Sequence, residues 1–349
     1  MDKSGAHPSA EIQRALFFTA KKQVRVIPGA LPPPGKGEVT VRARLSALSA
    51  GTEMLVYRDQ MPDEMKIDET IPALGGTFRY PLRYGYASVG QVCALGAGVP
   101  EQWLGRRVFA FYPHADYFTL PHQDLHLIPD DMGWEDAVFL PNMETAVNLV
   151  MDAAPRIGES AAVFGQGVIG LLCTSLLAQF PLSTLAALDA YPTRRQQALE
   201  AGAHAALDPL AEDWRDRALK LSGPRGFDLA LENSGNPQAL DQALALTGFA
   251  GRVVIGSWYG LKPVQVDLGG AFHRSRQRLI SSQVSTIDPA LSGRWDKSRR
   301  FQTAWSQIRR LRPSRWITHR IPFEQAGQAY ALLDADPRDV LQIIFDYGG

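Results

Sequence analysis

The chain has 349 residues, 45% of them hydrophobic and 21% charged, and its 36 Lys and Arg balance 36 Asp and Glu to a formal net charge of zero. That length suits two domains, each large enough for its own core. A neutral balance leaves no electrostatic footprint for nucleic acid or anionic lipid, so the expected partner is a small-molecule substrate, with no nucleic acid and no membrane. Two cysteines, Cys93 and Cys173, supply neither a disulfide framework nor a Cys-rich zinc site, and in their apolar runs they read as small buried hydrophobes.

In chain order, residues 1–11 are polar with no apolar stretch; a secretory signal is not expected, and a cytoplasmic location is. Residues 15–18, 24–27, 38–48 and 85–95 carry β-branched or alternating residues between Pro and Gly clusters and read as strands. Residues 55–84 read as a turn-rich excursion, followed by short strands over 107–111 and 117–120. From 161 onward the rhythm changes. Strands over 161–164, 184–188, 228–232 and 251–256 alternate with helices over 168–179, 193–201 and 237–246. Such alternation implies right-handed βαβ crossovers and a parallel sheet. A β-α-β tail follows, with a strand near Ile317, a helix over 323–333 and a strand over 342–346. Residues 161–178 are nearly uncharged, but their three spaced glycines and strand-then-helix halves favour a buried strand-turn-helix over a membrane span.

The sharpest motif is Gly165-Gln166-Gly167-Val168-Ile169-Gly170. It follows an apolar strand and opens an apolar helix, the context that gives a GxGxxG meaning. Gly165 permits the tight turn, Gly167 lets backbone approach a pyrophosphate, and Gly170 lets the helix pack on the strand. The helix N-terminus then offers unpaired N–H groups to phosphate. Asp189 ends the next strand, where an acid accepts from the adenosine ribose hydroxyls and repels a 2′-phosphate. NAD(H) is therefore favoured, while Arg194 and Arg195 keep NADP(H) open.

Further fragments stand in a specific order: Ser49-Ala50-Gly51-Thr52-Glu53, Tyr84-Gly85-Tyr86-Ala87-Ser88-Val89-Gly90, His114-Ala115-Asp116-Tyr117, Leu140-Pro141-Asn142-Met143-Glu144-Thr145-Ala146 and Glu232-Asn233-Ser234-Gly235-Asn236. With the glycine motif they make the chain resemble the medium-chain dehydrogenase/reductases. Among these it is most similar to the zinc-type alcohol dehydrogenase-like and bacteriochlorophyllide dehydrogenase-like group. The resemblance implies an α/β fold with a GroES-like β-barrel domain over 1–150 and 315–349, and a Rossmann doubly wound parallel-sheet domain over 151–314. It implies an active site between the two, and a homodimer. It also implies that Thr145 and Ile169 pack the nicotinamide end, with further cofactor contacts from Ser234, Gly256 and Ser257. Zinc-dependent members hold their metal with a Cys, a His followed by Glu, and a second Cys. The matching positions here are Ala50, Tyr86 (followed by Ala87) and Pro141, so no zinc is expected.

Without zinc, hydroxyl donors must stabilise charge on the substrate oxygen. Thr52 matches the family's proton-relay hydroxyl and Tyr86 the vacant metal-ligand position, so both are candidate catalytic groups. The other reading of Tyr86 is that it fills the space of the zinc site, its hydroxyl bonded to backbone. Glu53 is a candidate general base, or else an arginine's partner. The implied activity is NAD(P)(H)-dependent hydride transfer to or from a fairly large secondary alcohol or ketone. The alternatives are reduction of a conjugated C=C bond and a non-catalytic dinucleotide sensor. The basic runs 273–278 and 294–300 read mainly as solvated faces.

Overall fold

The computed structural model describes residues 12–348; the polar stretch 1–11 lies outside them. The chain divides into two compact units, Met1–Pro141 with Arg312–Gly349, and Asn142–Leu311.

The first unit is built mainly on antiparallel pairing, with one parallel pair in its C-terminal tail. The strands Gln23–Ala30, Ile12–Ala20 and Leu82–Arg83 form one small sheet in that order. A larger sheet runs Ile317–Pro322, Gln342–Asp346, Glu38–Ala47, Ser88–Leu95, Arg107–Ala110, His126–Leu127, with Tyr117–Pro121 also pairing on Glu38–Ala47. The C-terminal tail thus enters the sheet beside the strand Glu38–Ala47, with Ile344 opposite Ala47. Alternating Val39, Val41, Ala43 and Leu45 are buried together with Phe18, Phe118, Phe323 and Phe345. A short helix, Ala50–Tyr57, starts three residues after the Glu38–Ala47 strand ends. Its last three residues fall in the stretch 55–84 that the sequence suggests is a turn-rich excursion. Its C-terminal half, Met54 to Tyr57, is buried all round.

The second unit is a six-stranded parallel sheet. Its order is Ala205–Leu207, Thr184–Leu188, Ser160–Phe164, Phe227–Glu232, Thr247–Ile255, Arg278–Ser281. In order of appearance that is 3-2-1-4-5-6, the doubly wound dinucleotide-binding arrangement. Ser160–Phe164 is buried at every residue, as expected of a central strand covered on both faces. The helices Trp214–Ser222 and Lys297–Leu311 are not evident from the sequence alone. Among the described residues no helix is long and apolar enough to cross a membrane. Cys173 is fully buried, whereas Cys93 is only half-buried.

Candidate active site: a dinucleotide cradle and a tyrosine cluster

The cradle lies where the first strand of the second unit, Ser160–Phe164, turns into the helix Val168–Leu177. Gly165 has φ +82°, and a Cβ there would stand 2.5 Å from Ser234 Cα. A Cβ on Gly170 would stand 1.8 Å from the Gly165 carbonyl oxygen. Both positions therefore require glycine, one for its backbone angle and space, the other for helix-strand packing. Around Gly167 the nearest atom to such a Cβ is Arg194 Nη1, at 4.0 Å, so this edge is open to a ligand.

Gln166 turns its side chain inward. Its Nε2 donates to the Val163 carbonyl at 2.9 Å and its Oε1 accepts from Thr174 Oγ1 at 3.0 Å. It fixes the turn, leaving its backbone as the part nearest a cofactor. The Gln166 N–H donates to Asp189 Oδ2 at 2.7 Å, and the Tyr191 N–H to Asp189 Oδ1 at 2.9 Å. Asp189 is thereby aimed at the mouth of the turn. Arg195 is committed elsewhere: it donates to the carbonyls of Asp189 and Ala190 and pairs with Asp208 at 3.1 Å. Arg194 lies over the Tyr191 ring, 3.9 Å from Asp189 Oδ2.

On the other side of the turn, Glu232 ends its strand fully buried. It accepts from the Ser234 N–H at 2.8 Å, from the Ser234 hydroxyl, and from Tyr259 Oη at 2.5 Å. Burial and the Glu232 charge together push the Tyr259 phenol up, so it stays a donor. Ser257 Oγ accepts from the Gly235 N–H at 2.8 Å. A Cβ on Gly256 would meet Asn233 Oδ1 at 2.3 Å. Ser234, Gly256 and Ser257 thus sit together at the carboxyl edge of the sheet, with Ile169 half-buried and Val168 buried on the opening turn of the helix. Thr145 is half-buried on Leu140–Ala153. Glu144, Asn148 and Asp152 recur every fourth residue of that helix and so share a face. Arg300, fully buried, binds this face: Nε and Nη2 donate to Glu144 Oε1, and Nη1 to Asn148 Oδ1. Its last two N–H groups go to the Thr286 and Val284 carbonyls. One member of the run 294–300, expected to be solvated, is therefore a core cation with all five donors satisfied.

In the first unit, Tyr86 is half-buried and its hydroxyl donates to Ser49 Oγ at 2.5 Å; Thr52 Oγ1 is 3.5 Å away. The Tyr86 hydroxyl is thus bonded to a side-chain hydroxyl rather than to backbone. Ser49, the residue that precedes the helix Ala50–Tyr57, is the nearer partner and is not singled out by the sequence reading. Burial raises the Tyr86 pKa, against the lowering by its Ser49 and Thr52 bonds. The phenol is held protonated, as a donor.

Glu53 does not join this cluster as a base. It is fully buried and accepts from the Ser49 N–H at 2.7 Å, from Tyr330 Oη at 2.5 Å and from His114 Nε2 at 3.1 Å. His114 Nδ1 then lies 2.7 Å from Ser46 Oγ, itself 2.7 Å from Tyr347 Oη. Both tyrosines are held protonated by burial; Tyr330 donates to Glu53, and Ser46 bridges Tyr347 Oη and His114 Nδ1, so the hydrogen-bonded chain ends on Glu53. The Glu53 carboxylate is a buried anchor that ties the helix start to the C-terminal tail, enclosed away from any substrate. Gly85 (φ +102°) is required beside it, because a Cβ would strike the His114 ring at 2.5 Å.

Among the described residues no group of three or more His, Cys, Asp and Glu side chains is placed to hold a metal ion. The positions of Ala50, Tyr86 and Pro141 offer one phenol and no thiolate or imidazole.

Residues 168–302 match the family model described as zinc-binding dehydrogenase. The D-guloside 3-dehydrogenase of Escherichia coli is 25% identical over 283 residues, covering 78% of this chain and 81% of its own. The (R,R)-butanediol dehydrogenase of Bacillus subtilis is 26% identical over 269 residues, covering 69% and 76%. A crystal structure described as a short chain alcohol dehydrogenase (rspB) of E. coli CFT073, solved with NADH, superposes with a TM-score of 0.78 at 19% identity over 97% of this chain and all of that one. Cradle and relatives agree with the resemblance to the zinc-type alcohol dehydrogenase-like medium-chain dehydrogenase/reductases, and the chain is an NAD(P)-dependent dehydrogenase.

Proposed function

We propose that the protein transfers hydride between a nicotinamide dinucleotide and a secondary alcohol or ketone without zinc, with the Tyr86 hydroxyl in the place of the metal. The observation that carries this reading is the Tyr86–Ser49–Thr52 hydroxyl cluster standing where the family places its zinc ligand and proton relay. The nicotinamide, when bound, supplies or accepts the hydride. The chain's own task is to hold the substrate oxygen and stabilise its charge. A phenol kept protonated by burial suits the reducing direction, where it donates to the oxygen as negative charge develops there. Ser49 and Thr52 hold the phenol and offer a path for its proton. Glu53 acts one step back: it fixes the Ser49 backbone and so the position of the hydroxyl that Tyr86 bonds.

We further propose a preference for NAD(H). Asp189 presents its carboxylate at the mouth of the turn, and Arg195 turns its Nη1 to the Asp189 and Ala190 carbonyls and to Asp208. The edge strand Arg278–Ser281 pairs within the described residues only with Thr247–Ile255, and we assign its open side to a second copy of the chain. Protein with measured zinc content, offered NADH and a panel of cyclic and aryl ketones, tests the reading. Turnover with zinc far below one per chain, unchanged by 1,10-phenanthroline, is expected. Activity that tracks zinc content, or is abolished by the chelator, contradicts it.

A further inference from the structure

Arg300 shows what this fold does with a buried guanidinium: every donor has an acceptor. Arg83 is the opposite case. It is half-buried in the short strand Leu82–Arg83, and its Nε and Nη2 are covered from solvent without a hydrogen-bond partner. Among the described residues none of its nitrogens has a hydrogen-bond or ion-pair partner; its contact is with the Tyr112 ring, 5.3 Å from guanidinium carbon to centroid. The other face of the aromatic pair is fixed, since Tyr112 stacks on the fully buried Phe118 at 4.3 Å and 15°. A cation–π contact offsets only part of what desolvating a guanidinium costs, and a covered cation without a counter-ion is destabilising to the fold that carries it.

The location is informative. The register Ser88↔Ala110, run back two residues, sets Tyr112 opposite Tyr86. The His114 N–H to Tyr84 carbonyl bond, 3.4 Å, keeps that register one step further. Arg83 itself stands three residues before Tyr86. A guanidinium from the small sheet is therefore braced on the ring of the residue that runs opposite Tyr86, a member of the hydroxyl cluster. Its planar fork matches carboxylate and phosphate oxygens.

We propose that Arg83, seated on Tyr112, binds an anionic oxygen group of the substrate, a carboxylate or a phosphate ester, and so selects acidic alcohols and ketones over neutral ones. This rests on the hydride-transfer reading for the identity of the ligand as substrate, but the anion site is testable without turnover. The experiment is calorimetric titration of the full chain, saturated with NADH to occupy the phosphate cradle, with inorganic phosphate and with acetate. Wild type is expected to bind at least one of them saturably. Phosphate alone names a phosphate ester, and acetate alone names a carboxylate. Arg83→Gln is expected to weaken that binding about tenfold or more, with Arg83→Lys between the two. The melting temperature of Arg83→Gln should not fall, because no protein acceptor loses a partner; a structural arginine would show the reverse, a lower melting temperature with anion binding intact. Wild type that binds neither anion, an adventitious ion only (equal binding by Arg83→Gln), or a destabilised variant with unchanged binding overturns the proposal. Tyr86→Phe separates the two readings: it should leave anion binding unchanged. A protein that binds the anion through Arg83 yet oxidises NADH with no ketone would sink the hydride-transfer reading and leave the anion site standing.

Discussion

Tyr86→Phe is expected to lower kcat for ketone reduction by roughly 10²–10³-fold, the loss typical of removing one donor to a developing oxyanion. The substitution keeps the ring that packs edge-on against Tyr84, with centroids 6.1 Å apart, and removes only the hydroxyl. The fold and the NADH dissociation constant should therefore not change, since the cradle is built from the other unit. Ser49→Ala is expected to have a smaller effect of the same sign, because the phenol loses its 2.5 Å acceptor but keeps its hydroxyl. The pH profile gives a second check. Burial raises the phenol, so the wild-type rate in the reducing direction should hold through the ordinary phenol range and fall only above it. Unchanged kcat in Tyr86→Phe would mean that Tyr86 merely fills the space of an absent metal site.

Arg300→Met is expected to destabilise the second unit by about 3–5 kcal/mol, the usual result of leaving one partner of a buried ion pair uncompensated. For a unit of this size that lowers its melting temperature on the order of 10 °C. The reason lies in the geometry. Glu144 would keep its burial and lose both donors, Asn148 Oδ1 would lose its cation, and the Val284 and Thr286 carbonyls would be stranded. Burial already pushes the Glu144 carboxyl up, more than Arg300 pulls it down. A raised carboxyl binds its proton more tightly folded than unfolded, so this term is most favourable at low pH and weakens as pH rises into the range of the raised group. The double variant Arg300→Met with Glu144→Gln should lose less than Arg300→Met alone, because no unpaired charge remains. Scanning calorimetry of the single and double variants checks this. Losses that simply add, the double variant losing as much as Arg300→Met and Glu144→Gln together, would show that the pair is not coupled.

The cradle is legible in the sequence because its constraint is local. Gly165, Gly167 and Gly170 follow a wholly buried strand, and Asp189 closes the next. What such a reading lacks is partnership across distance. Glu53 looks like an exposed base beside Thr52, but its partners His114 and Tyr330 lie 61 and 277 residues away. Enclosure, which decides between base and anchor, exists only once the tail returns. The helix Lys297–Leu311 is hidden for a different reason. Its buried positions are Arg300, Ala304 and Ile308, a regular four-residue stripe headed by a charge, so a hydrophobic period never shows. The helix Ala50–Tyr57 starts three residues after a strand ends and carries Gly51 in its first turn, which resembles loop chemistry more than helix. Arg83 carries no signal in the sequence at all, since an arginine between Leu82 and Tyr84 looks like any edge residue until its missing acceptors are seen.

The most direct test of a metal-free dinucleotide enzyme is isothermal titration of zinc-analysed protein with NADH and then NADPH. The result expected is saturable NADH binding, tighter than NADPH, by protein containing essentially no zinc. Tighter NADPH binding would mean that Arg194 outweighs Asp189 at the ribose. Binding of neither by folded protein, or NADH binding only after zinc is added, would contradict the account.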